Sequence, residues 1–570
     1  MGYLSHERRP ADGRCNGFRF MVEQPAARDV PVGFGGSKHD FGMLGWPALG
    51  RVRGTVGWKD RSHSKGAARS KEVAVATAGH VDVLIVGAGL SGIGAACHLQ
   101  RAFPQRTYVL LESRGALGGT WDQFRFPGVR SDSDMYTLGY RFKPWRGEKS
   151  VADGADILEY LREAAVENGV DRRIRFRHRV TRAEWSSVNN RWTVCAERTD
   201  TGETIRFTAG FLLSCSGYYR YDAGYTPRFA GIDRFAGRVV HPQFWPSDLE
   251  VAGERVVLIG SGATAVTLAP ALAAQGAHVT MVQRSPSYVV AKPAYERMAR
   301  AVRWGVPVPV VYSLARVKHV LMDTGDYGRC RRHPDASRRR IRRVHEHWLP
   351  PGYDIDTHFT PQYNPWDQRL CFTPDGEFFR AIQRGDVDIV TDGIDTFTET
   401  GLRLTSGTEL EANVVITATG FQLLPFGGVE LVVDDTPVIP SEQMSYKTMM
   451  LSGVPNFAYV IGFFNISWTL KLDLVSQYIV RLLRYMTAHH YVRCVPVRDP
   501  SVDPLPEFQG LTAGYVRRGA HRFPVQGESL PWRLRMNFVR NWFTLRFSRV
   551  ADSAMRFERA PQPAEVGAEH

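Results

Sequence analysis

Two stretches of the chain share one hydrophobic rhythm. Residues 81–86 form a short apolar run in which Asp82 is the one polar position, which predicts a buried strand. A glycine-rich turn follows, then helical spacing to about Phe103, then a second apolar run at 108–111 that ends in Glu112. The order repeats from Arg255: an apolar strand, a small-residue turn, a helix to about Gln275, and a strand at 278–283 that ends in Arg284 and Ser285. Strands alternating with helices in this way predict an α/β fold with parallel sheets. Two regions break the rhythm. Residues 1–78 sustain neither the strand period nor the helix period, and Gly, Pro, Ser and Arg interrupt each short apolar run. They read as a disordered extension or as sequence upstream of the native start. Residues 290–360 read as a helical insertion.

Composition narrows the class. The 570 residues are 43% hydrophobic and 23% charged, an ordinary globular balance. No run of apolar residues is long enough to span a bilayer. The seven cysteines form no CxxC pair, which argues against a disulfide scaffold or a zinc ribbon and for a reducing, cytoplasmic compartment. The net charge is +14, of which residues 1–78 carry +6. A second basic cluster, eight arginines in the fifteen residues 329–343, reads as a solvated helix face. Contact with the inner face of an anionic membrane is the second reading. No nucleic-acid-binding motif accompanies it, so nucleic acid is not an expected partner.

The turns carry the chemistry. Gly87-Ala88-Gly89-Leu90-Ser91-Gly92 is a G-x-G-x-x-G between strand and helix, and Glu112 stands 20 residues after Gly92. Gly87 permits the tight turn, Gly89 lets backbone approach a pyrophosphate, and Gly92 lets helix pack on strand. The helix N-terminus offers its amides to phosphate, and Glu112 is placed to accept from ribose hydroxyls. In the second unit, Gly260, Ser261, Gly262, Ala263, Thr264, Ala265 and Val266 form the equivalent loop and helix start. There the following strand ends in Arg284 and Ser285, a cation where the first ends in an acid. That suits a ribose 2′-phosphate and points to NADPH over NADH. Two sites with different ribose chemistry imply FAD at the first and NADPH at the second. Both belong to Rossmann-like domains, one for FAD and one for NADP. With no cysteine pair near the flavin, a disulfide reductase is excluded, and molecular oxygen is the remaining electron sink. The histidine pairs 345/347 and 489/490 lack metal-ligand context, so no metal is expected.

Between the two loops lies Phe235-x-Gly237-x-x-x-His241-x-x-x-Trp245-Pro246. This resembles the fingerprint of the Baeyer–Villiger type of class B flavoprotein monooxygenases. The segments 118–122, 126–136, 364–372, 418–420 and 465–471 are similar to those of its ethionamide-activating subgroup, and the resemblance runs from about residue 80 to 560. It implies that NADPH reduces FAD and that one atom of O2 passes to a ketone, giving an ester or lactone, or to a sulfide or thioamide. The runner-up is an S/N-oxidising flavin monooxygenase or an uncoupled NADPH oxidase.

By the same resemblance, Arg369 is the active-site arginine and Asp132 the flavin-side aspartate that holds it. Arg130 and Ser131 sit where the cofactors meet. Thr120, Trp121, Asp122 and Gln123 line the flavin, and Val180 meets its adenine end through the backbone. His241 organises a linker rather than moving a proton. Many relatives carry a lysine just before the arginine; here Gln368 stands, which leaves Arg284 as the main reader of the 2′-phosphate. The implied domains are a split FAD domain (79–222 and 421–555), an NADP domain inserted at 223–420, and a tail at 556–570.

Overall fold

The computed structural model describes residues 76–505 and 511–560. It holds two parallel-sheet lobes. In the first, the strand Ala76–Val86 runs parallel to Tyr108–Leu111 on one side and to Thr204–Ser214 on the other. Its apolar residues face helices on one side and a meander on the other. Leu84 and Ile85 are fully buried for that reason, each burial contributing about 1.5–3 kcal/mol. The meander is His178–Ser186, Arg191–Arg198 and Thr204–Ser214, paired antiparallel. It extends the sheet to nine strands among the described residues, including Phe457–Tyr459 from the far end of the chain. The first lobe is therefore built from segments that precede and follow the second lobe in the sequence.

The second lobe is a five-stranded, all-parallel sheet in the order Val387–Thr391, His278–Gln283, Arg255–Ile259, Val414–Thr417, Arg238–Val240. Helix Ala263–Ala274 packs on it through Ala265, Val266, Leu268 and Leu272, all buried. The chain crosses between lobes twice. Those crossings lie side by side, because Tyr219–Gly224 pairs with Phe421–Leu423.

The insertion is helical, with Arg297–Trp304, Val308–Arg332, Pro334–Trp348 and Ile355–Phe359. One largely enclosed arginine docks it on the first lobe. Arg316 Nη1 donates to the carbonyls of Tyr136 and Gly139, both at 2.8 Å, and Nη2 lies 3.0 Å from Asp473 Oδ2.

Two boundaries differ from the sequence reading. The first strand starts at Ala76, with Ala76 opposite Ile205, so the extension stops short of residue 78. Met555–Arg559 pairs with Tyr491–Pro496, so the tail expected at 556 starts no earlier than 560. Neither segment shows a period in the sequence, since residues 77–80 are exposed and Met555 is the one buried position of Met555–Arg559. The rest of the 1–78 reading, and residues 561–570, lie outside the described residues. Among the described residues no helix is long and apolar enough to cross a membrane, and no group of three or more His, Cys, Asp or Glu could hold a metal.

The arginine cluster is largely neutralised where it stands. Arg329 and Arg340 face Asp326, Arg331 faces Asp367, Arg338 faces Asp335, and Arg342 faces Glu346 and Asp356.

Candidate active site

A cavity of about 570 Å³ opens between the two glycine loops. Each loop is shaped by contacts that exclude side chains. A Cβ on Gly92 would lie 1.9 Å from the Gly87 carbonyl oxygen, so only glycine lets the helix start this close to the strand. Gly260 adopts φ +131, and a Cβ there would lie 2.4 Å from the Ala418 oxygen. Helices Leu90–Ala102 and Ala263–Ala274 both begin without a side-chain cap and with no acidic residue in the first turn. Their leading amides and partial positive charge therefore face the cavity uncompensated, the arrangement a pyrophosphate needs. Gly89 and Gly262 both line the cavity, and among the described residues beyond its own neighbours in the chain nothing lies within 4 Å of where a Gly262 Cβ would be. Two dinucleotides thus fit the loops at one cleft.

On the first side, Glu112 is buried at its strand end. Oε2 accepts from the Ala88 amide (2.7 Å) and Oε1 from the Arg114 amide (3.0 Å), so the carboxylate pins the loop. Burial pushes its carboxyl above the usual range against those two hydrogen bonds. Ser91 accepts a hydrogen bond from the Trp468 indole at 2.7 Å. Thr120 and Trp121 line the cavity. Asp122 and Gln123 are turned elsewhere. Asp122 is buried between Arg114 and Arg125, and Gln123 donates to the Gln243 carbonyl at 3.0 Å. Val180 is buried in the meander core, away from the cavity wall.

On the second side, Ser261, Ala263 and Thr264 line the cavity, while Ala265 and Val266 face the sheet. Ser261 Oγ donates to the Ser285 carbonyl at 3.0 Å, tying the loop to the strand end. Arg284 is exposed at the cavity edge, and among the described residues no carboxylate pairs with it.

An ion pair stands at the centre. Arg369 Nη2 lies 2.8 Å from Asp132 Oδ1, joining the two lobes across the cavity. Burial is the largest single influence and opposes the guanidinium's charge, but the Asp132 carboxylate together with Tyr218, Tyr219 and Tyr515 holds its pKa above the usual value. Ser131 is buried beside it, accepting from the Ser133 amide at 3.0 Å. Arg130 Nη2 lies 2.6 Å from Glu377 Oε1, a charge contact without hydrogen-bond alignment, and burial lowers the arginine's pKa.

Other residues shape the site that no motif signalled. Tyr218, Tyr219 and Tyr515 line the cavity around Arg369. Tyr218 donates to the Tyr219 hydroxyl at 2.8 Å and stacks on Trp468. Burial pushes all three phenols up, so each keeps its proton. Arg331 and Arg338 of the basic cluster hold the loop that bears Arg369. Arg331 Nη1 lies 2.5 Å from Asp367 Oδ1, Asp367 Oδ2 accepts from the Asn364 amide (3.0 Å), and Arg338 donates to Asn364 Oδ1 (2.6 Å). Only the pairing of sequence-distant residues reveals this; the sequence shows a charge run.

His241 stands at the crossing. Its Nδ1 accepts from the Gln243 amide at 3.2 Å, so Nε2 carries the proton and faces the Gly420 carbonyl at 3.3 Å. Desolvation holds its pKa below the usual value. The ring lies on Gly224, where a Cβ would come within 2.3 Å of it. The histidine is absent from the cavity wall and packs the two crossing strands together. Cys215 and Cys371 do line the cavity, yet burial pushes both thiols up, Cys371 to about 12, which leaves them protonated.

Comparison with known proteins agrees with this architecture. Residues 150–433 match the flavin-binding monooxygenase-like family, and 85–143 match an NAD(P)-binding Rossmann-like domain. The FAD-containing monooxygenase EthA of Mycobacterium tuberculosis is 49% identical over 85% of this chain and 99% of its own length. EthA of Mycolicibacterium smegmatis is 48% identical over 84% and 97%. The structure of a steroid monooxygenase bound to NADP shares the fold at TM-score 0.66 and 21% identity, covering 84% of this chain and all of that one. Two uncapped helix N-termini meeting at one cleft, and a relative this similar along its whole length, place the chain in the class B flavin-containing monooxygenases, as an enzyme that uses FAD and a nicotinamide dinucleotide.

Proposed function

We propose that this monooxygenase performs Baeyer–Villiger oxidation. It would use NADPH and O2 to place one oxygen atom beside a ketone carbonyl, giving an ester or lactone, water and NADP⁺. Sulfides and thioamides are further substrates of the same site. The observation that carries this reading is the Arg369–Asp132 pair in the cavity where both nucleotide loops converge.

FAD, when bound and reduced, supplies the two electrons that activate O2. The chain supplies the surroundings. Arg369 is a cation that cannot release its proton, so it stabilises negative charge on a reacting oxygen. Asp132 fixes the direction of the guanidinium. The phenols of Tyr219 and Tyr515 are protonated donors beside it, suited to the carbonyl oxygen of a ketone. Phe372, Phe421, Phe463 and Ile466 give the cavity apolar walls that keep water from the reacting atoms. Arg284, unpaired at the edge, suits the 2′-phosphate of NADPH, with Ser285 beside it. Asp122 and Gln123 act by holding the flavin loop rather than by lining it.

The test is product analysis. The purified protein is supplied with NADPH, a ketone and isotopically labelled O2. An ester carrying one labelled oxygen supports the reading. Hydrogen peroxide equal to the NADPH consumed, with no ester from any ketone offered, replaces it with the uncoupled oxidase.

A further inference from the structure

Away from the active site, three helices meet around a second cleft of about 520 Å³. Helix Leu90–Ala102 contributes Arg101, helix Trp468–Ala488 contributes Arg481 and Arg484, and helix Phe538–Phe547 contributes Arg546. Among the described residues, no carboxylate lies within ion-pair distance of any of these four guanidinium groups. Each is held by neutral partners instead. Arg101 donates to Asn168 Oδ1 (3.1 Å) and lies over the Phe142 ring. Arg484 lies over Phe103. Arg546 donates to Gln477 Oε1 (3.1 Å) and lies over Trp542. Arg481 donates to the carbonyls of Leu545 and Arg546, at 2.9 and 2.6 Å, and of Ser548.

These contacts orient the guanidinium forks and leave their charge standing. The contrast with residues 329–343 is direct, since five of those eight arginines face carboxylates. Among the described residues, the acid that forms an ion pair with a lining residue of this cleft is Asp473, opposite His98. Its oxygens are engaged by His98 and Arg316, each at 3.0 Å. Four like charges lining one cleft without a paired carboxylate repel one another, and a bound anion relieves that repulsion. Beside the arginines the wall carries the polar His98 and Gln477 and an apolar set, Leu474, Val480, Leu545 and Phe547, the last 63% exposed.

We propose that this cleft is a second binding site, for a phosphoryl group attached to an apolar body. Oriented guanidinium forks match phosphate oxygens two at a time, and the apolar wall receives what the phosphate carries. The phosphate belongs either to a soluble ester or to a lipid headgroup.

The experiment uses the full flavin-loaded chain, saturated with NADP⁺ so that the nicotinamide site is filled. It is titrated calorimetrically with inorganic pyrophosphate, beside a variant carrying Arg101→Gln, Arg484→Gln and Arg546→Gln. Arg481 is kept, because it ties down the end of the third helix. The expected result is binding that weakens at least tenfold in the variant, with flavin content and NADPH consumption unchanged. If the triple variant loses flavin, the single variant Arg484→Gln carries the comparison, with a weakening of threefold or more. Sedimentation with phosphatidylglycerol vesicles, against phosphatidylcholine vesicles, separates the sources. Retention on the former that the variant loses assigns a lipid headgroup. Pyrophosphate binding without retention assigns a soluble phosphate. Equal pyrophosphate affinity in both proteins, or no binding by the unaltered protein, overturns the proposal.

Discussion

Arg369 and Arg284 are both arginines on the wall of one cavity, and their surroundings separate their tasks. Arg369 is partly buried against Asp132, and the proposed reaction gives it the charge on a reacting oxygen to stabilise. Arg369→Ala is therefore expected to keep FAD and its reduction by NADPH while ester formation falls to background; a variant that still converts a ketone at the unaltered rate removes the arginine from the chemistry. Arg284 is exposed and unpaired, which suits a ligand's phosphate. Arg284→Ala should raise KM for NADPH about tenfold, the loss of one charge-assisted hydrogen bond, and leave KM for NADH nearly unchanged. Equal shifts for both nucleotides would mean that it does not read the 2′-phosphate. A third cation, Lys471, is buried with Thr448 Oγ1 as its acceptor at 2.6 Å, and burial pulls its amine down to about 7. The unfolded chain keeps the ordinary, higher lysine pKa, so above about pH 7 the unfolded state binds the extra proton and stability rises with pH. Lys471→Met removes that dependence. The variant is expected to gain most in melting temperature near pH 6 and progressively less towards pH 9, and a gain independent of pH would refute the assignment.

At the scale of elements, the two strand–loop–helix units were legible because each condition a dinucleotide imposes leaves a mark in one short window: apolar run, glycine spacing, terminal acid or base. Their observed bounds, Leu90–Ala102 and Ala263–Ala274, fall within a residue of the helix ends expected at Phe103 and Gln275. What stayed hidden depends on partners far away in sequence. Nothing local marks Tyr218 and Tyr219 as neighbours of Arg369, and the turn of Asp122 towards Arg114 and Arg125 depends on where those side chains end up. The basic cluster shows the difference most sharply. Read locally it is a charged helix face; in the structure Arg331 and Arg338 brace the 364–369 loop from the insertion. Substituting both by Gln is expected to leave FAD bound and reducible, and to lower kcat for ketone oxidation by about tenfold, since small misplacement of a catalytic group is costly. Unchanged kcat in the double variant would return these arginines to a purely solvated role.

At the scale of the molecule, the elements that build the two lobes and the cleft between them are all found among the described residues from Ala76 on. Both nucleotide loops, the crossing strands, Asp132, Arg369 and the helical insertion all lie between Ala76 and Arg559. The M. tuberculosis relative points the same way, since 99% of its length is matched by 85% of this chain. Deletion must nevertheless respect the first strand. Ala76 and Thr77 pair with Ile205 and Arg206 in the central sheet, and His80 resumes the register at Thr208. A chain starting at Ala76 is therefore expected to hold FAD at full occupancy, consume NADPH at the unaltered rate and melt within a few degrees of the full protein. A chain starting at Val81 loses the outer part of the longest strand pairing in the lobe, and should melt several degrees lower with the same chemistry at low temperature. The pair of truncations discriminates. If the chain starting at Ala76 cannot retain flavin, residues 1–75 take part in the enzyme. If both truncations behave alike, the strand's first residues are dispensable and the sheet is secured by its inner register, Val83 to Val86, alone.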